Sequence, residues 1–191
     1  MLRWFVRALA IAVFVLAGLV VLDFAEILVP IGPDDSASMA STIPACNGRV
    51  LAEGITYRIR DPRQDDIVAV HAAVTDQNGV VPDKDARDRV LVLRVAAGPG
   101  DVIEGRSGTV FVNDVQLDEI TTKPFPKQTV PNEQYFLLGD NRSAAVDSRT
   151  FGPVLRNAIF AKVFAVDWPL RDISFRMHPS PGEPPGPADC G

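Results

Sequence analysis

The longest apolar run in the sequence lies near its amino terminus. Fifteen uncharged, mostly apolar residues span 8–22, preceded by Arg3 and Arg7 and followed by Asp23 and Glu26. About 20 residues are needed to cross a bilayer, so this run is short for a spanning helix and also suits the apolar region of a cleavable signal peptide.

Two features favour a membrane anchor over a cleaved signal. Arg7 can extend its side chain towards the headgroups, which lets residues 2–6 add to the apolar length, and no small-x-small cleavage site follows Leu22. Because the flanking arginines precede the run, the positive-inside tendency places the amino terminus in the cytoplasm. We therefore predict a cytoplasmic terminus and single transmembrane helix over 1–29, in the plasma membrane, with the main domain outside.

After this segment, short runs of β-branched and apolar residues recur between turn signals, a pattern typical of antiparallel strands. The sequence therefore predicts a mainly β domain over 30–177. The pair Asn113-Asp114 suits a tight hairpin, since both residues tolerate left-handed backbone angles. The predicted strands are 66–71, 89–95, 109–112, 115–117, 135–138 and 158–166.

Two segments lack any apolar periodicity. Residues 76–88 are rich in charge and contain Gly and Pro, which predicts an exposed loop. Residues 178–191 are rich in proline and have almost no large apolar side chains, so they cannot bury enough surface to offset the entropy of ordering. We predict a disordered tail there.

Composition narrows the classes of function. A chain of 191 residues fits one domain beside an anchor, and a net charge of -5 with scattered Lys and Arg argues against a nucleic-acid partner. Cys46 and Cys190 are permitted to form a disulfide outside the cytoplasm, although two unpaired thiols are the favoured interpretation. Their spacing does not suggest a metal site, no cofactor is expected, and the sequence does not indicate an oligomeric state.

Three separated blocks carry the candidate chemistry. They are Ser-Ala-Ser-Met at 36–39, a stretch over 94–101 that ends in Pro-Gly-Asp, and a polar block over 139–152. In this order and spacing they resemble the type I signal peptidases, membrane-anchored serine proteases that remove leader peptides from secreted preproteins. The resemblance extends over about 1–170 and implies a signal-peptidase-like antiparallel β domain.

The resemblance implies a role for each matching residue. Ser38 takes the place of the nucleophile, and Ser36 supplies a hydroxyl that binds the oxyanion beside the backbone N–H of Ser38. Asp147 and Arg149 match the pair that braces the site. The residues that match the scaffold around it are Arg94, Gly139, Asp140, Asn141 and Arg142.

One position departs from the family in a way that changes the chemistry. A serine hydroxyl attacks an amide only when a base removes its proton, and in the resembled family that base is a neutral, buried lysine. The lysine's position is Leu93, within a continuous apolar run typical of a strand buried on both faces, and the hydroxyl residue that holds the lysine is replaced by Ala145. Leucine has no proton acceptor, so the general base is missing.

Other side chains can be considered as replacement bases. His71 is an alternative because histidine accepts protons near neutral pH, although an ordinary strand-end histidine is the favoured interpretation. The chain has four lysines, all interpreted as solvated surface residues: Lys84, Lys123, Lys127 and Lys162.

Two functions are therefore compatible with the sequence. The first is a signal peptidase I-type serine endopeptidase that cleaves leader peptides at the outer face of the membrane. The alternative is a catalytically inactive, membrane-anchored homologue that binds extended peptides as an added β-strand without cleaving them. Both imply preprotein signal peptides and the lipid bilayer as partners, and Ser38-dependent cleavage separates them.

Overall fold

The computed structural model of the chain describes residues 4, 7, 9–15, 28–30, 38–43, 49–74, 80–86 and 89–166. The predicted tail over 178–191 lies outside these ranges, as do seven residues named above: Arg3, Leu22, Asp23, Glu26, Ser36, Cys46 and Cys190. In the described residues the chain is mainly antiparallel β, as the sequence predicts.

The described strands and helices follow one another with short connections. In chain order they are β1 (Leu28–Pro30), β2 (Arg49–Glu53), α1 (Thr56–Ile59), β3 (Ile67–Val74), β4 (Val80–Pro82), β5 (Arg89–Ala97), β6 (Val102–Arg106), β7 (Thr109–Val112), β8 (Val115–Gln116), β9 (Phe125–Thr129), β10 (Gln134–Leu138), α2 (Ser148–Phe151), β11 (Val154–Leu155), a 3-10 turn (Arg156–Ala158) and β12 (Ile159–Val166).

These strands form two sheets. The larger has the order β1-β2-β12-β3-β5-β10-β11, with β4 also paired to β3, and the smaller has the order β8-β7-β6-β9. Strand β5 lies between β3 and β10, and its residues 91–97 are all buried. This confirms the prediction of a strand buried on both faces, since each face of β5 packs against its own cluster of apolar side chains.

Alternate residues of β5 face the two clusters. Leu93 packs with Val68 and Val95 on one side, which we call the Leu93 face. Val92 packs with Met39 on the other side, which we call the Met39 face. Because successive side chains of a strand point to opposite faces, any residue paired with β5 can be assigned to one face from the register.

Local signals predict some of the connections well and others poorly. The hairpin at Asn113 and Asp114 is confirmed, with φ angles of 51° and 65° at the two turn residues. The prediction that all of 76–88 is a loop is wrong, because β4 lies within it and pairs with the end of β3. The two valines of β4 extend the sheet at the end of β3, whereas the charged residues 83–85 are exposed as predicted.

The smaller sheet contains two strands that apolar patterning does not predict. Among the described strands, β9 pairs only with β6, so Pro126 lies on an edge strand, where a missing N–H is tolerated. In β6, Gly105 lies under the ring of Phe125, and a Cβ built at Gly105 would be 2.5 Å from that ring. The aromatic side chain thus takes the space that a larger residue would need.

Residues 9–15 near the amino terminus are helical, and their described side chains are exposed. Within the described ranges, no helix is both long and apolar enough to span a membrane. The predicted boundaries at 1–29, 30–177 and 178–191 stay predictions.

One buried carboxylate joins α1 to the larger sheet. Asp66 accepts hydrogen bonds from Arg60 at 2.8 Å and from the backbone N–H of Arg63 at 3.0 Å, and it pairs with Lys162 Nζ at 2.8 Å. Burial acts to raise the pKa of Asp66, but these donors outweigh it and lower the pKa to about 2. The ionised form is therefore the one that the fold stabilises.

This cluster predicts an acid-sensitive contribution to stability. A carboxyl group with a lowered pKa stabilises the fold above its unfolded pKa near 4, and this stability is lost as the pH falls towards 2. We expect Asp66→Asn to lower the free energy of unfolding at pH 7 by about 2 kcal/mol, and to flatten its decline between pH 5 and 2. Urea unfolding over that range measures both effects. The exposed neighbour provides the control Asp65→Asn, and equal losses in the two variants would contradict the prediction.

Candidate active site

The serine expected as nucleophile begins a short turn over residues 38–43, which we call the serine turn. Ser38 is 7% exposed and the next residue, Met39, is fully buried on the Met39 face. The backbone N–H groups of Thr42 and Ile43 both donate to the carbonyl of Met39 at 2.8 Å, which closes the turn. A buried methionine thus fixes the position of the serine that precedes it.

The polar block after β10 holds this turn from the other side. The N–H of Asn141 donates to the carbonyl of Ser38 at 3.0 Å. Gly139 leaves the space for this contact, since a Cβ built there would lie 2.6 Å from the Ser38 carbonyl oxygen and 2.3 Å from the Cβ of Ala145. Gly139 therefore lies close to both the backbone of Ser38 and the side chain of Ala145.

The strand register brings the end of β10 close to Leu93. Leu138, the last residue of β10, lies opposite Arg94, the residue after Leu93, and Gly139 directly follows Leu138. Leu93 is 1% exposed on the Leu93 face. The serine turn and Ala145 therefore meet at Gly139, just beyond the point where β10 pairs with the central strand.

A buried ion pair connects the serine turn to β5. Arg94 donates from Nε and Nη2 to the two carboxylate oxygens of Asp140, at 2.8 and 2.7 Å. The hydroxyl of Thr42 donates to the same carboxylate, and the N–H of Asp140 donates to the sulfur of Met39 at 3.5 Å. Charge-assisted, two-point contacts of this kind fix orientation as well as position.

A second acidic residue holds the end of the polar block. Asp147 is fully buried, and its carboxylate accepts from the N–H of Gly139 at 3.0 Å and from Nε and Nη2 of Arg149, each at 2.8 Å. The same side chain caps the start of α2 through the N–H of Arg149. Asp147 therefore keeps Gly139 in place beneath the serine turn.

The candidate replacement bases lie elsewhere in the described chain. His71 lies opposite Val90, three residues along β5 from Leu93, and stacks on Phe160 at 4.0 Å between ring centroids. It faces the Met39 side of the sheet, opposite to Leu93. The lysines are exposed or paired with carboxylates: Lys84 with Asp85, Lys127 with Asp114, Lys162 with Asp66, and Lys123 exposed.

Sequence reasoning missed two residues that contact this site. Arg142 pairs with Asp118, and Arg149 donates to the hydroxyl of Thr122 at 3.1 Å. Both acceptors belong to the connection between β8 and β9 and lie outside the three motif blocks. The sequence indicates these two acceptors only indirectly, because an arginine that is buried requires a partner that carries the opposite charge or accepts a hydrogen bond.

Comparison with known proteins agrees with this arrangement of motifs. The family described as signal peptidase, peptidase S26, matches residues 2–168, which is most of the chain. The chain belongs to this family, and the resemblance to type I signal peptidases is confirmed.

Individual relatives span different shares of the chain. "Probable signal peptidase I-2" from Synechocystis sp. is 34% identical over 71% of this chain and 61% of its own length. "Thylakoidal processing peptidase 1, chloroplastic" from Arabidopsis thaliana is 34% identical over 73% of this chain and 42% of its own length. "Signal peptidase I" from Bacillus caldolyticus is 29% identical over 91% of this chain and 93% of its own length. The match therefore spans less than two thirds of the first two relatives.

A solved structure of a signal peptidase I from Enterococcus faecalis V583 is also similar. It shares 27% sequence identity with this chain, with a TM-score of 0.40, and the match covers 53% of this chain and 95% of the other.

Proposed function

We propose that the protein acts on the leader peptides of exported preproteins, as a signal peptidase I-type serine endopeptidase whose cleavage step is strongly slowed. Ser38 is its nucleophile, Ser36 assists the oxyanion, and residues 1–29 anchor it in the plasma membrane with the β domain outside. The observation that carries the proposal is the contact of Gly139 with both Ser38 and Ala145, directly after the strand whose last residue pairs with Arg94, next to the buried Leu93.

The slow step follows from the chemistry of the pocket. Attack on the scissile carbonyl requires that the Ser38 proton leave, and neither Leu93 nor Ala145 can accept it. In serine hydrolases, loss of the base lowers turnover by about a million-fold, while binding and the oxyanion site retain about a thousand-fold or more over water. Peptide recognition does not need the base and is unaffected by its loss.

A second function is favoured by the packing of the same pocket. Leu93 lies among Val68, Leu91 and Val95 with 1% of its surface exposed, and such a site stabilises an apolar side chain without the cost of burying an amine. A protein with this pocket could hold an extended peptide at the sheet and release it uncut. This is the binding alternative.

One experiment tests both functions. The full chain in detergent is incubated with a preprotein that carries a small-x-small site, and peptide binding and cleavage are measured beside Ser38→Ala. We expect binding in both proteins, with cleavage on the order of a million-fold below that of a lysine-containing relative.

The outcomes are distinct. Slow cleavage that disappears in Ser38→Ala supports the peptidase, and binding with no Ser38-dependent cleavage supports the binding protein. Absence of binding would contradict both. Fast, Ser38-dependent cleavage would contradict the proposal that the general base is missing and would make His71 the candidate base.

A further inference from the structure

The polar block that supports the serine turn is itself held by the smaller sheet. We call residues 139–149 the motif loop and residues 118–122 the brace. The motif loop follows β10 of the larger sheet, whereas the brace connects β8 to β9 of the smaller sheet. Two arginine side chains of the motif loop end on acceptors in the brace.

The first contact is a nearly buried ion pair. The side chain of Arg142 is 2% exposed, and it donates to Asp118 from Nη1 at 3.4 Å and from Nη2 by a shorter bond. Its Nε donates to the carbonyl of Gly139 at 3.0 Å. The guanidinium group thus lies between Asp118 and the backbone of the glycine that contacts Ser38.

The second contact uses Arg149, whose Nη1 donates to the hydroxyl of Thr122 at 3.1 Å while Nε and Nη2 hold Asp147. Thr122 is 6% exposed. Two side-chain contacts therefore join the motif loop to the brace, Arg142 with Asp118 and Arg149 with Thr122.

The smaller sheet fixes the brace. The carbonyl of Asp118 accepts from the hydroxyl of Thr109 on β7 at 2.9 Å, and the N–H of Thr122 donates to the carbonyl of Gly108 at 2.9 Å. The brace residues that accept hydrogen bonds from Arg142 and Arg149 are thus held by the smaller sheet, whereas the motif loop follows the larger one.

We infer that Asp118 is a positioning residue for the peptide site, acting through Arg142 on Gly139 and, through Gly139, on the serine turn. Removal of its charge leaves the Arg142 cation buried without its carboxylate, and burial of an unpaired charge is unfavourable. The motif loop then relaxes away from Ser38, while β5 and the sheet core are unchanged. The step from loop position to peptide affinity rests on the proposed function.

The test compares the full-length protein with Asp118→Asn, which removes the charge at constant size, and with Asp118→Glu, which retains it. Asp114→Asn on the same sheet is the matched control, because Asp114 also pairs with a cation but is exposed. Two quantities are measured: amide hydrogen exchange in 139–149 and 89–97, and affinity for a synthetic leader peptide.

We expect Asp118→Asn to speed exchange in 139–149 about 10- to 100-fold, a range that corresponds to loss of a hydrogen-bonded charge pair. Exchange in 89–97 should match the control. Peptide affinity should fall about tenfold, with recovery in Asp118→Glu.

Unchanged exchange in 139–149 would overturn the inference, and so would faster exchange that extends equally into 89–97. Faster loop exchange with unchanged peptide affinity would overturn the positioning role. If the unsubstituted protein does not bind the peptide, the proposed function fails, and the exchange data alone decide whether Asp118 holds the motif loop.

Discussion

Replacement of Leu93 by Lys together with Ala145 by Ser is expected to raise Ser38-dependent cleavage of a leader peptide by several orders of magnitude, towards the million-fold that a base contributes in serine hydrolases. Leu93 is 1% exposed within an apolar cluster, so the amine of Leu93→Lys is expected in an apolar pocket that favours its neutral form. Ala145→Ser adds a hydroxyl next to Gly139, and we expect this hydroxyl to be the hydrogen-bonding partner of that amine.

Rates of cleavage against pH provide the decisive measurement. Activity of the double variant should increase as the pH rises through the lysine pKa, because only the neutral amine accepts a proton. The control is Leu93→Met with Ala145→Ser, because methionine is similar to lysine in length and volume but has no amine. We expect no gain in the control, and Ser38→Ala should abolish the gain in the double variant. Equal rates in the control and the double variant would contradict the assignment of position 93.

Gly139→Ala is expected to lower both the free energy of unfolding and the affinity for a leader peptide. Its Cβ would lie 2.3 Å from the Cβ of Ala145 and 2.6 Å from the Ser38 carbonyl oxygen, and the second neighbour is backbone that cannot rotate away. Overpacking of this kind costs about 1 to 3 kcal/mol, occasionally more. The displaced serine turn should also reduce leader-peptide affinity by at least about tenfold, since 1.4 kcal/mol corresponds to a factor of ten.

Chemical denaturation and peptide titration measure the two effects. Gly98→Ala is the matched control, because a Cβ at Gly98 meets its nearest neighbours at an ordinary 3.7 Å. Similar stability and affinity in both alanine variants would show that Gly139 is not required for close approach of the serine turn.

The sequence predicts those parts of the fold that depend on near neighbours. The apolar run over 89–95 identifies the central buried strand, and Asn113-Asp114 identifies a hairpin from two residues alone. The site residues are assigned from the resemblance to type I signal peptidases that the three motif blocks carry. The structure places Ser38, Asp140 and Asp147 around Gly139, while Ser36 lies outside the described residues.

Features that depend on distant partners could not be predicted in the same way. Strand β9 contains Pro126 and exposed polar side chains, and it exists because β6 pairs with it. Asp118 lies next to Glu119 and outside the three motif blocks, and its contact with Arg142 spans 24 positions. Local periodicity does not report such pairings, since their stabilising contacts form only when the two sheets have folded.

The carboxylate of Asp140 is shared by Arg94 of the central strand and Thr42 of the serine turn. During synthesis the serine turn therefore leaves the ribosome well ahead of that carboxylate, since 98 positions separate Thr42 from Asp140. A polypeptide halted before residue 139 can close the turn on the Met39 carbonyl, but it lacks both Asp140 and the N–H of Asn141 that donates to Ser38. The final position of the turn is consequently set late in synthesis.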